Sequence, residues 1–272
     1  MQSCVNKYVR ISDISAYMLC PRLAFFRRRQ NRHVASMDIV RAAVFKEISR
    51  SLAGALATDD PEAAVRTQIE VACGDAEIVY GLPAGPVLEE AIGTARDIIT
   101  GLDVESKRLG RDVLRAMLSP CERSQAIYSD RLRISGFVDR IVSLDGVRCP
   151  VVVCASKPPE AGIFAADRLK LAAAAMLMEE KFETTVGRGM VEYVCGWRIR
   201  EADVRRYDRM AVLSARNRIT QMGSAMPDAR RGPWCTGCQY AGACDVRPFL
   251  ASSLFRPVIF DSSGQRRQET NK

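Results

Sequence analysis

The chain has 272 residues, 47% of them hydrophobic and 26% charged, a balance ordinary for a folded soluble protein and sufficient for one large domain or two small ones. No unbroken apolar run reaches membrane-spanning length: the longest candidate, 161–178, is interrupted by Asp167, Arg168 and Lys170. With no apolar signal core at the N-terminus, a cytoplasmic location without a membrane partner is expected, and a formal charge of +8 favours an anionic partner, nucleic acid first.

Residues 11–30 read as a helix capped by Ser12 or Asp13 and broken or restarted at Pro21. Its end is crowded with Arg22, Arg27, Arg28, Arg29 and Arg32 beside Phe25, Phe26 and His33. That pattern suits phosphate neutralisation with aromatic anchors or stacked bases, and equally a solvated helix face with a buried aromatic side. Periodicity through Ile39, Ala43, Val44, Ile48 and Leu52 predicts a helix over 38–57. Residues 81–86 are turn-rich, and 87–118 read as one or two further helices.

The texture then changes. Alternation and β-branched runs over 123–153 predict three strands, with a turn at 144–146. An Ala-, Leu- and Met-rich helix is expected over 165–182, a strand over 189–198 and a basic helix over about 201–222. A cysteine cluster follows, and the polar tail from about Ser262 is expected to be disordered. No internal repeat is visible. The order predicts an α/β or α+β fold with a helical insertion. It divides into a helical region over 1–122, a core over 123–225, a cysteine segment over 226–250 and a tail over 251–272.

Ten cysteines in a reducing compartment point to metal ligation more than to disulfides. Cys73, Cys121, Cys149 and Cys195 stand singly among apolar neighbours and read as small buried hydrophobes, with Cys4 incidental. Cys235, Cys238 and Cys244 form a compact set of soft ligands, and Gly232, Gly237 and Gly242 let the backbone wrap closely. A fourth ligand must come from elsewhere. His33 is the only histidine, and Cys20, in Cys20-Pro21-Arg22, is the better candidate. Spacing alone leaves zinc and an iron–sulfur cluster equally open.

Taken in order, SAYMLCPR at 15–22, GFVDRIV at 136–142, LMEEKF at 177–182, GRGMVEYV at 187–194 and PWCTGCQYAGAC at 233–244 resemble the CRISPR-associated RecB-like nucleases that carry a 4Fe–4S cluster. The resemblance spans roughly residues 10–246. It implies a PD-(D/E)xK restriction-endonuclease-like core, with a mixed sheet flanked by helices and a helical insertion. It also implies cleavage of single-stranded DNA ends with Mg²⁺ or Mn²⁺, alongside the CRISPR integrase. Cys20, Cys235, Cys238 and Cys244 would then hold a structural 4Fe–4S cluster that ties the N-terminal helix to the C-terminal loop.

Metal-dependent phosphodiester cleavage needs hard ligands beside the scissile phosphate and a lysine to stabilise developing charge. The family supplies a histidine on the early helix, the aspartate of a GxxD turn, an acid-x-Lys motif, and a Gln-x3-Tyr pair on the following helix. By resemblance Asp139 and Lys157 match. Lys46 stands at the histidine, Ala155 at the acid, Lys170 at the glutamine and Ala174 at the tyrosine. Glu160 and Cys154 are alternative acids. Glu160 follows Pro158-Pro159 in a loop, while Cys154 alternates to the other side of its strand from Ala155 and is a soft ligand. The pattern predicts a pseudo-nuclease in which Lys46 or Lys170 fills the vacated cation position and neutralises Asp139. Arg22, Arg27, Arg28, Lys46 and Lys170 would contact nucleic acid. The alternatives are an active single-stranded DNA exonuclease of CRISPR spacer acquisition, and a cluster protein serving protein–protein assembly.

Overall fold

A computed structural model describes residues 7–29, 36–119, 122–144 and 146–244. The expectations placed on Cys4, Arg32, His33, Cys121, Asp145 and the tail lie outside the described residues. Residues 1–227 form one compact unit and 228–272 a second.

The first unit runs β1 (Val9–Arg10), α1 (Ile11–Leu19), α2 (Pro21–Arg29), α3 (Met37–Ala55), α4 (Pro61–Tyr80), α5 (Gly85–Leu109), α6 (Arg111–Leu118), β2 (Glu122–Ser129), β3 (Ile134–Leu144), β4 (Val147–Cys154), α7 (Ala165–Phe182), β5 (Arg188–Tyr193), β6 (Arg198–Asp203) and α8 (Arg206–Thr220). This is a mixed α/β fold on an open mixed sheet. Strand β3 organises it. One edge takes β2 antiparallel; the other takes β1 in parallel at Ile134 and Ser135, then β4 antiparallel from Arg140 to Leu144. Strands β4 and β5 pair in parallel, so the chain must cross over between them, and α7 makes that crossing; β6 closes the order as an antiparallel partner of β5.

Both sheet faces are covered. Val142, Val151, Val153, Met190 and Val194 pack beneath Phe45, Ile48, Ile69, Ile98 and Leu114 of α3–α6. Ile134, Val138, Val152, Val191 and Tyr193 pack against α1, α7 and α8 through Ile14, Leu177 and Val212. Helix α7 is buried on every side from Leu171 to Met178, as expected of a helix whose Ala, Leu and Met run has no polar stripe. No helix among the described residues is long and apolar enough to cross a membrane.

Several elements depart from the sequence expectation. Arg10, not Ser12 or Asp13, is the N-cap of α1; Asp13 sits in the first turn and accepts from the Arg10 backbone N–H at 3.2 Å. The expected strand over 189–198 is a hairpin: β5 ends at Tyr193, a turn through Gly196 (φ 83°) follows, and β6 occupies residues assigned partly to the next helix, which starts at Arg206. Helix α4 is absent from the sequence expectation altogether, although its signals are present. Asp60 accepts from Ala63 N at 3.0 Å, Pro61 opens the first turn, and Gly81 ends the helix at φ 64°.

Helix α5 rests on the β5–β6 turn backbone against backbone. A Cβ on Gly101 would lie 2.3 Å from the Gly196 carbonyl oxygen and 2.4 Å from that of Trp197. Gly101→Ala is therefore expected to destabilise the protein by about 1–3 kcal/mol, because the obstacle is main chain and cannot change rotamer. A urea midpoint equal to that of the parent would show that the helix and turn can separate freely.

Candidate functional site

Asp139 lies where β3 changes hands. Its second edge is paired to β1 up to Ser135 and to β4 from Arg140 onward. Between Val138 and Arg140 the alternation also reverses: Val138 and Ile141 both pack toward α7, while Arg140 turns to α3. The Asp139 carboxylate, 8% exposed, fills this break. Its Oδ2 accepts from Val153 N at 2.9 Å, replacing a missing rung between β3 and β4. Its Oδ1 lies 2.7 Å from Lys46 Nζ. Helix α3 aims that lysine because Val44, Phe45 and Ile48 bury the neighbouring positions, leaving Lys46 half-exposed at the sheet. The expected contact between Lys46 and Asp139 is present.

A second ion pair stands beside the first. Lys170 Nζ lies 2.8 Å from Asp167 Oδ1, both in the first turns of α7. Asp167 Oδ2 accepts from Tyr193 Oη at 3.2 Å, and that hydroxyl accepts from Phe164 N at 3.2 Å. Burial alone would push the Lys170 ammonium down, but the Asp167 carboxylate hydrogen-bonded to it and the Asp139 carboxylate beyond oppose this, and the group stands above the ordinary lysine value. Burial drives the Cys154 thiol well above its usual value; Lys170 opposes this, while Asp167 and Asp139 add to it, and the thiol hydrogen-bonds Asp167. Cys154 is therefore a neutral thiol here, not a thiolate ligand. Burial likewise raises Tyr193.

A lysine raised on folding contributes stability that is complete below its unfolded value and is lost as pH climbs past the folded one. The Lys170–Asp167 pair should thus hold throughout the neutral range and fail only in strong alkali. Lys170→Met and the parent should differ in thermal midpoint at pH 7, and the gap should close only above the ordinary lysine pKa of about 10.4. A gap that closes between pH 6 and 8 would contradict this.

The other residues of the expected motif follow β4 or sit in α7. Lys157 is exposed in the loop after β4, and Cys195 is a group whose ionisation it influences. Ala155 packs against the α3–α6 core, its carbonyl accepting from Arg41, which also grips Glu90 with bonds of 2.6–3.0 Å. Glu160 is exposed in the loop, and Ala174 is buried within α7. Cys154, at the end of β4, lies near enough to Asp139 for that carboxylate to add to the rise in its pKa. Sequence reasoning also missed Asp167 and Tyr193 as site residues, and the buried Arg140–Glu192 pair beneath them. Charged residues inside the apolar strands β3 and β5 were the available signal. Beside Asp139 and Arg140 opens a cavity of about 640 Å³, lined also by Arg50, Ser51, Gln68 and Ser119.

The arginines of α2 are largely occupied. Arg22 Nε donates to the Pro227 carbonyl at 2.9 Å, Arg29 donates to that of Ser224 at 2.9 Å and stacks on Phe25, and Arg28 pairs with the buried Asp13 at 3.5 Å. Arg27 is half-buried on the same helix.

Cys20 terminates α1, its N–H donating to Ala16 O at 2.8 Å. In the second unit, Cys235 ends one short 3₁₀ turn and Cys244 follows another, with Cys238 between them. Cys238 N donates to Cys235 O and Ala241 N to Cys238 O, so the turns follow one another directly. Gly232 N–H points at Cys235 Sγ at 3.4 Å, the kind of contact that stabilises a thiolate, and a Cβ on Gly232 would collide with the Trp234 ring at 2.4 Å. Half-buried thiols on glycine-rich tight turns have the donor chemistry of zinc or iron–sulfur sites. Among the described residues no group of three or more His, Cys, Asp or Glu side chains is gathered to hold one ion. Neither a protein-family model nor a curated protein matches the chain.

Proposed function

We propose that the chain is a nucleic-acid-binding pseudo-nuclease on a RecB-like, PD-(D/E)xK core. The observation that carries the reading is the 2.7 Å contact between Lys46 Nζ and Asp139 Oδ1. An ammonium occupies the position from which a divalent ion would need to reach that carboxylate. Lys170 sets a second positive charge alongside, where a nuclease would gather further acids. With two carboxylates matched by two ammoniums and a neutral thiol, the site offers no surplus of hard anionic ligands to Mg²⁺ or Mn²⁺. Three-layer packing around β3 and the placement of Asp139 on that strand support the same reading.

Cys20, Cys235, Cys238 and Cys244 are proposed as ligands of a 4Fe–4S cluster with a structural role. The Gly232 N–H directed at Cys235 Sγ on this glycine-rich turn supports a ligand role for that sulfur. Anaerobically purified protein should contain iron and acid-labile sulfide, and Cys235→Ser should lose both. Stoichiometric zinc without sulfide would overturn the iron–sulfur assignment.

Incubation of the cluster-loaded protein with single-stranded DNA and Mg²⁺ or Mn²⁺ tests the central reading. The expected result is salt-dependent binding without cleavage. Cleavage by the parent that disappears in Asp139→Asn would establish an active exonuclease instead.

A further inference from the structure

The β2–β3 hairpin carries two large aromatic side chains that the core does not use. Tyr128 is 68% exposed and Phe137 is 67% exposed. The register sets Tyr128 opposite Ser135 and Ala126 opposite Phe137, so the two rings are diagonal neighbours on one face. That face is turned away from α1 and α7, because Ile127, Ile134 and Val138, at the alternate positions, are the ones that enter the α7-side core. It is therefore the side that α3–α6 cover farther along the sheet and leave open here.

Tyr8 extends the patch. Its ring centroid lies 5.9 Å from that of Tyr128, and its hydroxyl donates to Asp130 at 2.8 Å. Lys7 Nζ sits 5.2 Å above the Tyr8 ring, and its pairing with Asp130 is fully solvent-exposed and readily exchanged for another anion. Arg133, exposed in the hairpin turn, adds a second cation. Same-face residues on a strand are about 7 Å apart, so the next steps along β3 from Phe137 are Asp139 with its Lys46 partner, then Arg140 and the cavity with Arg50 on its wall.

We infer that Tyr8, Tyr128 and Phe137 form a stacking platform for single-stranded nucleic acid, which guides an unpaired strand toward the Lys46–Asp139 pair. The inference rests on the nucleic-acid reading above and gives the strand of that reading a surface on which to bind. Exposed rings flanked by cations suit unpaired bases, whose faces are open to stacking, whereas in a duplex those faces are occupied by neighbouring bases. The platform reads no sequence, since every base offers a ring face.

The test uses the anaerobically purified full chain and a fluorescein-labelled oligothymidylate of about 16 nucleotides. Tyr128→Ala and Phe137→Ala should each weaken binding about tenfold, and the double variant should weaken it further than either alone. The slope of log K against log salt should stay unchanged, because no phosphate contact is lost. Lys7→Ala or Arg133→Ala should instead reduce that slope by about 0.7. Phe137→Trp should retain binding. Both aromatic positions are exposed, so circular dichroism should match the parent. Undiminished binding by the aromatic double variant, or equal competition by duplex, would overturn the platform and leave nucleic-acid binding standing. Failure of the parent to bind any oligonucleotide would overturn both, and would leave the patch to a protein partner.

Discussion

Glu192→Ala is expected to cost about 3–5 kcal/mol of folding stability. Glu192 is completely buried and Arg140 is 2% exposed. The Arg140 guanidinium binds Glu192 Oε2 and donates to both the carbonyl and the hydroxyl of Ser49 at 3.2 Å, while Trp197 Nε1 donates to Glu192 Oε1 at 2.9 Å. Truncating the carboxylate strands a buried guanidinium and a buried indole N–H together. A small domain has only about 5–15 kcal/mol to lose, so the variant should unfold at a much lower urea concentration. Replacing both partners with apolar residues of similar volume, Arg140→Met with Glu192→Leu, should recover most of the loss, since the desolvation cost disappears with the charges. A single variant within 1 kcal/mol of the parent would show that water reaches the pair.

The second large effect is a gain. Lys46→His, Cys154→Glu and Lys170→Gln together should give the site a much higher affinity for Mn²⁺ than the parent has. The changes remove two ammoniums and supply, beside Asp139, a second carboxylate oxygen donor and an imidazole nitrogen that Mn²⁺ accepts. Cys154 is the chosen position because its electrostatic neighbours are Lys170, Asp167 and Asp139. Mn²⁺ titration followed by electron paramagnetic resonance should show a bound signal in the triple variant alone. A folded variant that binds no more Mn²⁺ than the parent would show that Lys46 does not stand where a metal could sit.

Much of the architecture could be read from residue patterns. Strands β2–β4 announced themselves by alternation, and α7 by its uniform Ala, Leu and Met run. The β5–β6 hairpin did not, because Val194, Cys195 and Trp197 in its turn are buried and apolar and mimic a continuing strand; only Gly196 punctuates it. Strand β1 is two residues long and has no period to detect. The Lys46–Asp139 contact was legible because both positions fall in a recognisable order of motifs. The break in β3 at Asp139 was not, because the alternation reverses between Val138 and Arg140, and a strict period-two count assumes that it never does. The α2 arginines show the converse limit: sequence displays charge, but only the fold reveals that Arg28 is spent on a buried Asp13.

The pairing of β1 with β3 has a consequence for the order in which the molecule can be made. Helix α1 buries Ile11 and Ile14 in the core shared with α7, yet α7 ends roughly 160 residues later in the chain. At a synthesis rate of about 5–20 residues per second, α1 waits on the order of 8–30 s with that apolar stripe uncovered. Neither the strand nor the helix that completes its burial yet exists. Helices α3–α6, by contrast, are neighbours in sequence and can associate as they emerge. Helix α1 is thus made well before the elements that bury it, and during that interval its apolar stripe is a site for a chaperone.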